Sequence, residues 1–193
     1  MLTRRTGRSD DQGFTLIELL VVIMLMGFLG AITVAGIASA MRTTRQDSAR
    51  ANNADAMETQ LQRMIKDVRV ADPLRSVTSS SIEFDIYRGT GCRRIEWRVS
   101  GTSLQQRVQT WTATSACLLY PATAAVASDT GYVTRLSNVT SATPFSYLDN
   151  SGAVLTTPTT TTTKQVSVTI TQSQPEGRGA ISLTASTYLR NAL

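Results

Sequence analysis

Glu18 is the only ionisable residue between positions 14 and 41, an anionic group set into an otherwise apolar run. A carboxylate near the start of an apolar helix costs up to roughly 2–3 kcal/mol, so such a group is usually held by a partner. A free amino terminus could serve. The other residues that could do chemistry are few. Cys92 and Cys117 lie outside the apolar run, and an even pair in a chain facing an oxidising compartment permits one disulfide. The sequence contains no His, which excludes a Ser-His-Asp or Cys-His arrangement and any His-containing metal site. Two cysteines do not make a zinc site, and no Gly-x-x-x-x-Gly-Lys-Ser/Thr phosphate loop occurs. The chain therefore reads as not an enzyme, with no catalytic residue, metal site or cofactor expected.

The element that carries Glu18 is legible from composition. From residue 19 to residue 41 there is no Asp, Glu, Lys or Arg, and about 20 apolar residues is the length that crosses a hydrocarbon core of about 30 Å. Arginines flank both ends (Arg4, Arg5 and Arg8, then Arg42, Arg45 and Arg50), and Asp10 and Asp11 dilute the first group. Charge alone leaves the orientation open. The flanking arginines suit lipid headgroups better than nucleic acid. A secretory signal peptide would place its apolar core before a small-residue cleavage site, whereas here the longer apolar run follows Gly13 without an Ala-x-Ala exit. A plain membrane anchor explains the length and the arginines and leaves Glu18 unexplained.

The residues Gly13-Phe14-Thr15-Leu16-Ile17-Glu18-Leu19-Leu20-Val21-Val22 resemble the signature of type IV pilins and type II secretion pseudopilins. The resemblance implies that residues 1–13 are a cytoplasmic leader removed by a membrane prepilin peptidase and methyltransferase. That enzyme would cut after Gly13 and N-methylate Phe14. It implies that Glu18 pairs with a Phe14 ammonium during assembly, and that residues 14–41 form a transmembrane and polymerisation helix. The expected partners are other pilins or pseudopilins, an inner-membrane assembly platform and membrane lipid. The expected location is the inner membrane as a single pass, cytoplasmic at the N-terminus and extracytoplasmic at the head, and then a filament. Gly27, Ala31 and Ala35 have the small-x-x-x-small spacing that lets helix backbones approach. Many major pilins carry a Pro in this segment and this chain has none.

Beyond residue 41, Ala54, Met57, Leu61, Met64, Ile65 and Val68 recur at three- and four-residue steps. They predict an amphipathic continuation over 42–72, ending near Ala71 because Asp72 precedes Pro73. The remainder, 73–193, is expected to be a β-rich head. Period-two alternation at Ile82, Phe84, Ile86 and at Ile95, Trp97, Val99 predicts a hairpin around Arg88-Gly89-Thr90-Gly91. Further strands are expected at 107–111, 132–139, 145–148, 153–156, 165–171 and 180–189, with turns at 149–152 and 174–177. The Thr-rich stretch 156–163 reads as an exposed loop. The fold class is then α+β, a long N-terminal helix packed on an antiparallel head, which is also the pilin-like fold. The order of elements, from Arg63 and Asp67 on the helix to the closing 188–191, resembles a J-type minor pseudopilin or a minor pilin. Such a subunit would prime or cap a filament. A different class of function, a competence-pilus subunit whose head binds DNA or another surface ligand, is motivated by Arg88, Arg93, Arg94, Arg98 and Arg107. Glu83, Asp85 and Glu96, interleaved with them, argue for a solvated sheet face.

Overall fold

The computed structural model of the chain describes residues 15–88, 91–112, 117, 128–174 and 179–190. Helix α1 is unbroken over Leu16–Arg69, 54 residues without a proline, so nothing removes an intrahelical hydrogen bond along its length. It ends as Val70 and Ala71 donate to the carbonyls of Asp67 and Val68, a tightening to i→i−3 bonds just before Asp72 and Pro73. The end falls two residues before the expected one. The chain divides into two compact units between Ala49 and Arg50.

In the second unit, β1 (Leu74–Val77), β2 (Ser81–Arg88), β3 (Gly91–Ser100), β4 (Ser103–Thr112) and β5 (Ser128–Asp129) form one antiparallel sheet in that order. Strand β6 (Val133–Leu136) also pairs with β4. A second sheet holds β7 (Phe145–Leu148), β8 (Gln165–Ser173) and β9 (Ala180–Tyr188) in sequence order. Met57, Leu61, Met64, Ile65 and Val68 of α1 share one core with Ile82, Phe84, Ile95 and Trp97 of the first sheet and with Tyr147, Val166, Val168 and Ile170 of the second. The helical stripe thus packs on strands, as its spacing predicts. The Tyr147 hydroxyl lies 2.8 and 2.9 Å from the carbonyl oxygens of Thr78 and Ser81, tying the second sheet to the β1–β2 turn. Burial raises the pKa of this phenol, against the opposing effect of the bond to Thr78.

Several expectations are corrected. Residues 153–156 are no strand: Val154 makes only an isolated bridge to Leu148. The Asp149 carboxylate accepts from Ser151 and Ala153 N–H, and Gly152 sits at φ 84°, so the chain turns where a strand would have to run straight. The strand expected over 132–139 stops at Leu136, before Asn138, whose φ of 59° breaks extended geometry. Strands β1 and β5 were not expected, being too short to show alternation. Gly89, Thr90 and most of the expected 174–177 turn lie outside the described residues.

Candidate functional site

The site suggested by sequence is the beginning of α1. Thr15 stands immediately before the first helical residue, and its Oγ1 accepts from the Glu18 backbone N–H at 3.3 Å, while its carbonyl accepts from Leu19 N–H at 3.2 Å. Thr15-x-x-Glu18 is therefore spaced as a capping box, in which the hydroxyl satisfies an orphan N–H of the first turn. The carboxylate of Glu18 also lies in that turn, where the positive end of the helix dipole favours an anion. Thr15 was missed in reading the sequence, although a Ser/Thr three residues before a Glu is a recognisable signal. Among the described residues nothing pairs with the Glu18 carboxylate. Gly13 and Phe14, the residues of the expected cut and methylation, lie outside the described residues.

Behind Glu18 the helix surface is apolar all round. Leu16, Met24 and Phe28 are 83, 74 and 67 % exposed, and every large side chain from Leu16 to Met41 is exposed. Residues 16–41 would rise about 39 Å at about 1.5 Å per residue, enough to cross a hydrocarbon core with some tilt. The Thr33 hydroxyl is satisfied within the helix, donating to the Leu29 carbonyl at 2.8 Å, as a lipid environment favours. A Cβ at Gly27, Gly30 or Gly36 would meet nothing within 4 Å. With Ala31 and Ala35, Gly27 thus leaves a strip of backbone open to close approach.

The second place that sequence pointed to, the arginines of the head, is assembled otherwise than a phosphate-binding face. Asp85 is fully buried on the outer side of β2. It accepts from Arg75 Nε at 2.7 Å and from Arg94 Nε and Nη2 at 2.8 and 3.2 Å. Arg75 also donates to the Cys117 carbonyl, and Cys117 is disulfide-bonded to Cys92 on β3. Trp111 is buried with both cysteines, and the Arg94 guanidinium lies 5.6 Å from its ring centroid. Glu83, 3.4 Å from Arg94, has its pKa raised by burial, which outweighs the lowering by that arginine. Further along the face, Arg107 is paired with Asp129, and the Arg98 guanidinium stacks 3.3 Å from the Tyr132 ring while donating to Gln105. The Tyr132 hydroxyl donates to Glu96 at 2.7 Å. Arg93 pairs in register with Ile86, whose side chain is in the core, and so stands on the other side of the sheet from Arg94. Arg94, Arg98 and Arg107 are consumed by head acceptors and an aromatic ring, and no single cationic face is gathered from them. The side chain of Arg88 lies outside the described residues.

Residues 8–34 match the family model of the prokaryotic N-terminal methylation motif. The matched stretch contains Gly13, Phe14, Glu18, Gly27 and Ala31, and it ends before the head begins. Together the methylation motif and the exposed apolar helix support a membrane-anchored, type IV pilin-like or pseudopilin-like chain. No curated protein matches the chain.

Proposed function

We propose that this chain is a minor pilin or pseudopilin, a structural subunit that enters a type IV pilus or a type II secretion pseudopilus through its N-terminal helix and helps to prime or cap the filament. In element order the chain resembles the J-type minor pseudopilins. In this reading residues 1–13 are a cytoplasmic leader, prepilin peptidase cuts between Gly13 and Phe14, and Phe14 is N-methylated. Residues 14–41 hold the subunit in the inner membrane with its head outside the cytoplasm until an assembly platform passes it to its neighbours. Glu18 carries the reading, because it is an acid in an apolar segment whose charge no described residue answers. Pairing it with a Phe14 ammonium offsets the desolvation of both groups and selects one axial register between packed helices. Gly27, Ala31 and Ala35 then set how closely those helices approach.

Two measurements test the proposal. Mass spectrometry of the mature protein should find N-methylated Phe14 as the first residue, and any other N-terminus refutes the processing. Glu18→Ala should insert into the membrane normally and enter filaments more than about tenfold less, since breaking a buried pair costs several kcal/mol. Glu18→Gln separates charge from capping, because Gln keeps the capping-box acceptor and loses the anion. Normal incorporation of Glu18→Gln would reduce Glu18 to a helix cap.

A further inference from the structure

Among the described residues, the sheet edges of the head are blunted except for one. Strand β1 is four residues long and irregular between Leu74 and Ser76. Strand β5 has two residues, and the β4–β6 register shifts between Leu104 and Gln105. Over the free side of β7 the chain folds back, with Leu155 N–H donating to the Tyr147 carbonyl at 2.8 Å and Val154 bridging Leu148. Strand β9 has none of this protection. It is nine residues long, pairs with β8 in unbroken register from Tyr188 to Ala180, and contains no Lys, Arg, Asp, Glu or Pro. Natural edges usually carry such residues, or a bulge, to prevent another strand from adding.

The direction of the unpaired backbone groups follows from two hydrogen bonds that flank the ladder. Leu189 N–H donates to the Lys164 carbonyl, and Gln174 N–H to the Gly179 carbonyl. Both pairs lie in the β8–β9 register, so Ile181, Leu183, Ala185 and Thr187 exchange bonds with β8. Ala180, Ser182, Thr184, Ser186 and Tyr188 therefore turn their N–H and C=O groups away from β8, and all five are exposed. Cross-strand hydroxyl contacts, Thr169 to Thr184 at 2.9 Å and Thr171 to Ser182 at 3.1 Å, already line this face.

We propose that β9 is the docking edge for β9 of a second copy of this chain, the two strands pairing antiparallel about Thr184 and joining two three-stranded sheets into one. The occupant follows from self-complementarity. With Thr184 opposite its own copy, Ser182 meets Ser186 and Ala180 meets Tyr188, so no two charges oppose each other. On the inner side the half-buried Leu183 meets the small Ala185, and Ile181 meets Thr187. The same strand thus supplies both halves of an isologous interface. This pairing rests on the head alone and does not depend on which filament the chain enters.

The test uses the full chain in detergent micelles. A rung of this kind brings Cα atoms to about 5.5 Å, within the range of a disulfide. Both native cysteines are already bonded to each other, so an introduced thiol reports on its own surroundings. Under mild oxidation Thr184→Cys should form a covalent dimer roughly a hundredfold faster than Ser151→Cys on an exposed turn, because paired thiols meet at millimolar effective concentration. Ser182→Cys should link to Ser186→Cys and not to itself, which separates the strand register from helix-driven proximity. Linking of Thr184→Cys no faster than Ser151→Cys, linking of Ser182→Cys to itself, or capture of a different protein in place of a second copy would each overturn the proposal.

Discussion

Glu18 and Asp85 are two carboxylates with opposite solutions to the same electrostatic cost. Asp85 is fully buried, and the head supplies two arginines and three hydrogen bonds around it. Glu18 sits in the stretch of α1, Leu16 to Met41, where every large side chain is exposed, and no described residue answers its charge. The head answers its carboxylate from within, while the first half of α1 offers no described partner to its acid or its exposed leucines; in the proposed reading lipid and a Phe14 ammonium supply them. One unbroken helix runs through both regimes. What changes along it is whether its side chains find partners within the chain.

The sharpest way to break this contrast is to remove each acid. Asp85→Ala leaves the part-buried Arg75 without its carboxylate and Arg94 with the more distant Glu83, and removing one partner of a buried ion pair costs up to about 3–5 kcal/mol. Denaturant unfolding of the full chain in micelles, followed by the fluorescence of Trp97 and Trp111, should show that loss. Glu18→Ala should move the same unfolding transition by less than about 0.5 kcal/mol, since Glu18 is exposed and no described residue pairs with its carboxylate. Equal losses at the two sites would mean that the head does not hold its carboxylate better than the helix does.

A second comparison uses one residue type in both regions. Met64 is fully buried and Met24 is 74 % exposed. Met64→Ala should cost about 2–5 kcal/mol through lost contacts and a cavity, and Met24→Ala should fall within about 0.5 kcal/mol of the parent. The same fluorescence transition reads both. A large effect at Met24 would show that the apolar half has partners inside the chain after all.

These contrasts also explain what was legible beforehand. The apolar run, its acid and the stripe from Met57 to Val68 are periodic or compositional over many residues, and such signals survive without tertiary knowledge. The long strands β2, β3, β8 and β9 show the same redundancy. Short strands do not, because two or four residues carry no period, and β1 and β5 exist only because a neighbouring strand pairs with them. The 153–156 segment is short and apolar enough to suggest a strand, yet the Asp149 side chain captures its backbone first. At the site, Glu18 stood out by its chemistry. Thr15 did not, because its role lies in a backbone contact three residues away. The head arginines were visible as charges, but their neutralisation by Asp85, Asp129 and the Tyr132 ring depends on cross-strand register, which no local pattern encodes.

The smallest expected effect comes from Asp129, a carboxylate with a partner but without burial. Its hydrogen bond from Arg107, with those from Gly131 N–H and Gln109, holds its carboxyl well below the usual range. A depressed folded-state pKa contributes stability that is complete above the unfolded value of about 3.9 and disappears as pH falls below it toward the folded value. Both side chains of the pair are one-third exposed, so solvent and salt screen it to under about 1 kcal/mol. Asp129→Asn should accordingly cost little at neutral pH, remove a small part of the acid-side decline below about pH 4, and matter less as salt is raised. Asp85 and Asp129 each have arginine partners in the same sheet, so burial is the main variable between them. If Asp129→Asn cost as much as Asp85→Ala, burial would not be what makes the Asp85 pairing indispensable, and the contrast between the head and the apolar helix would rest on charge pairing alone.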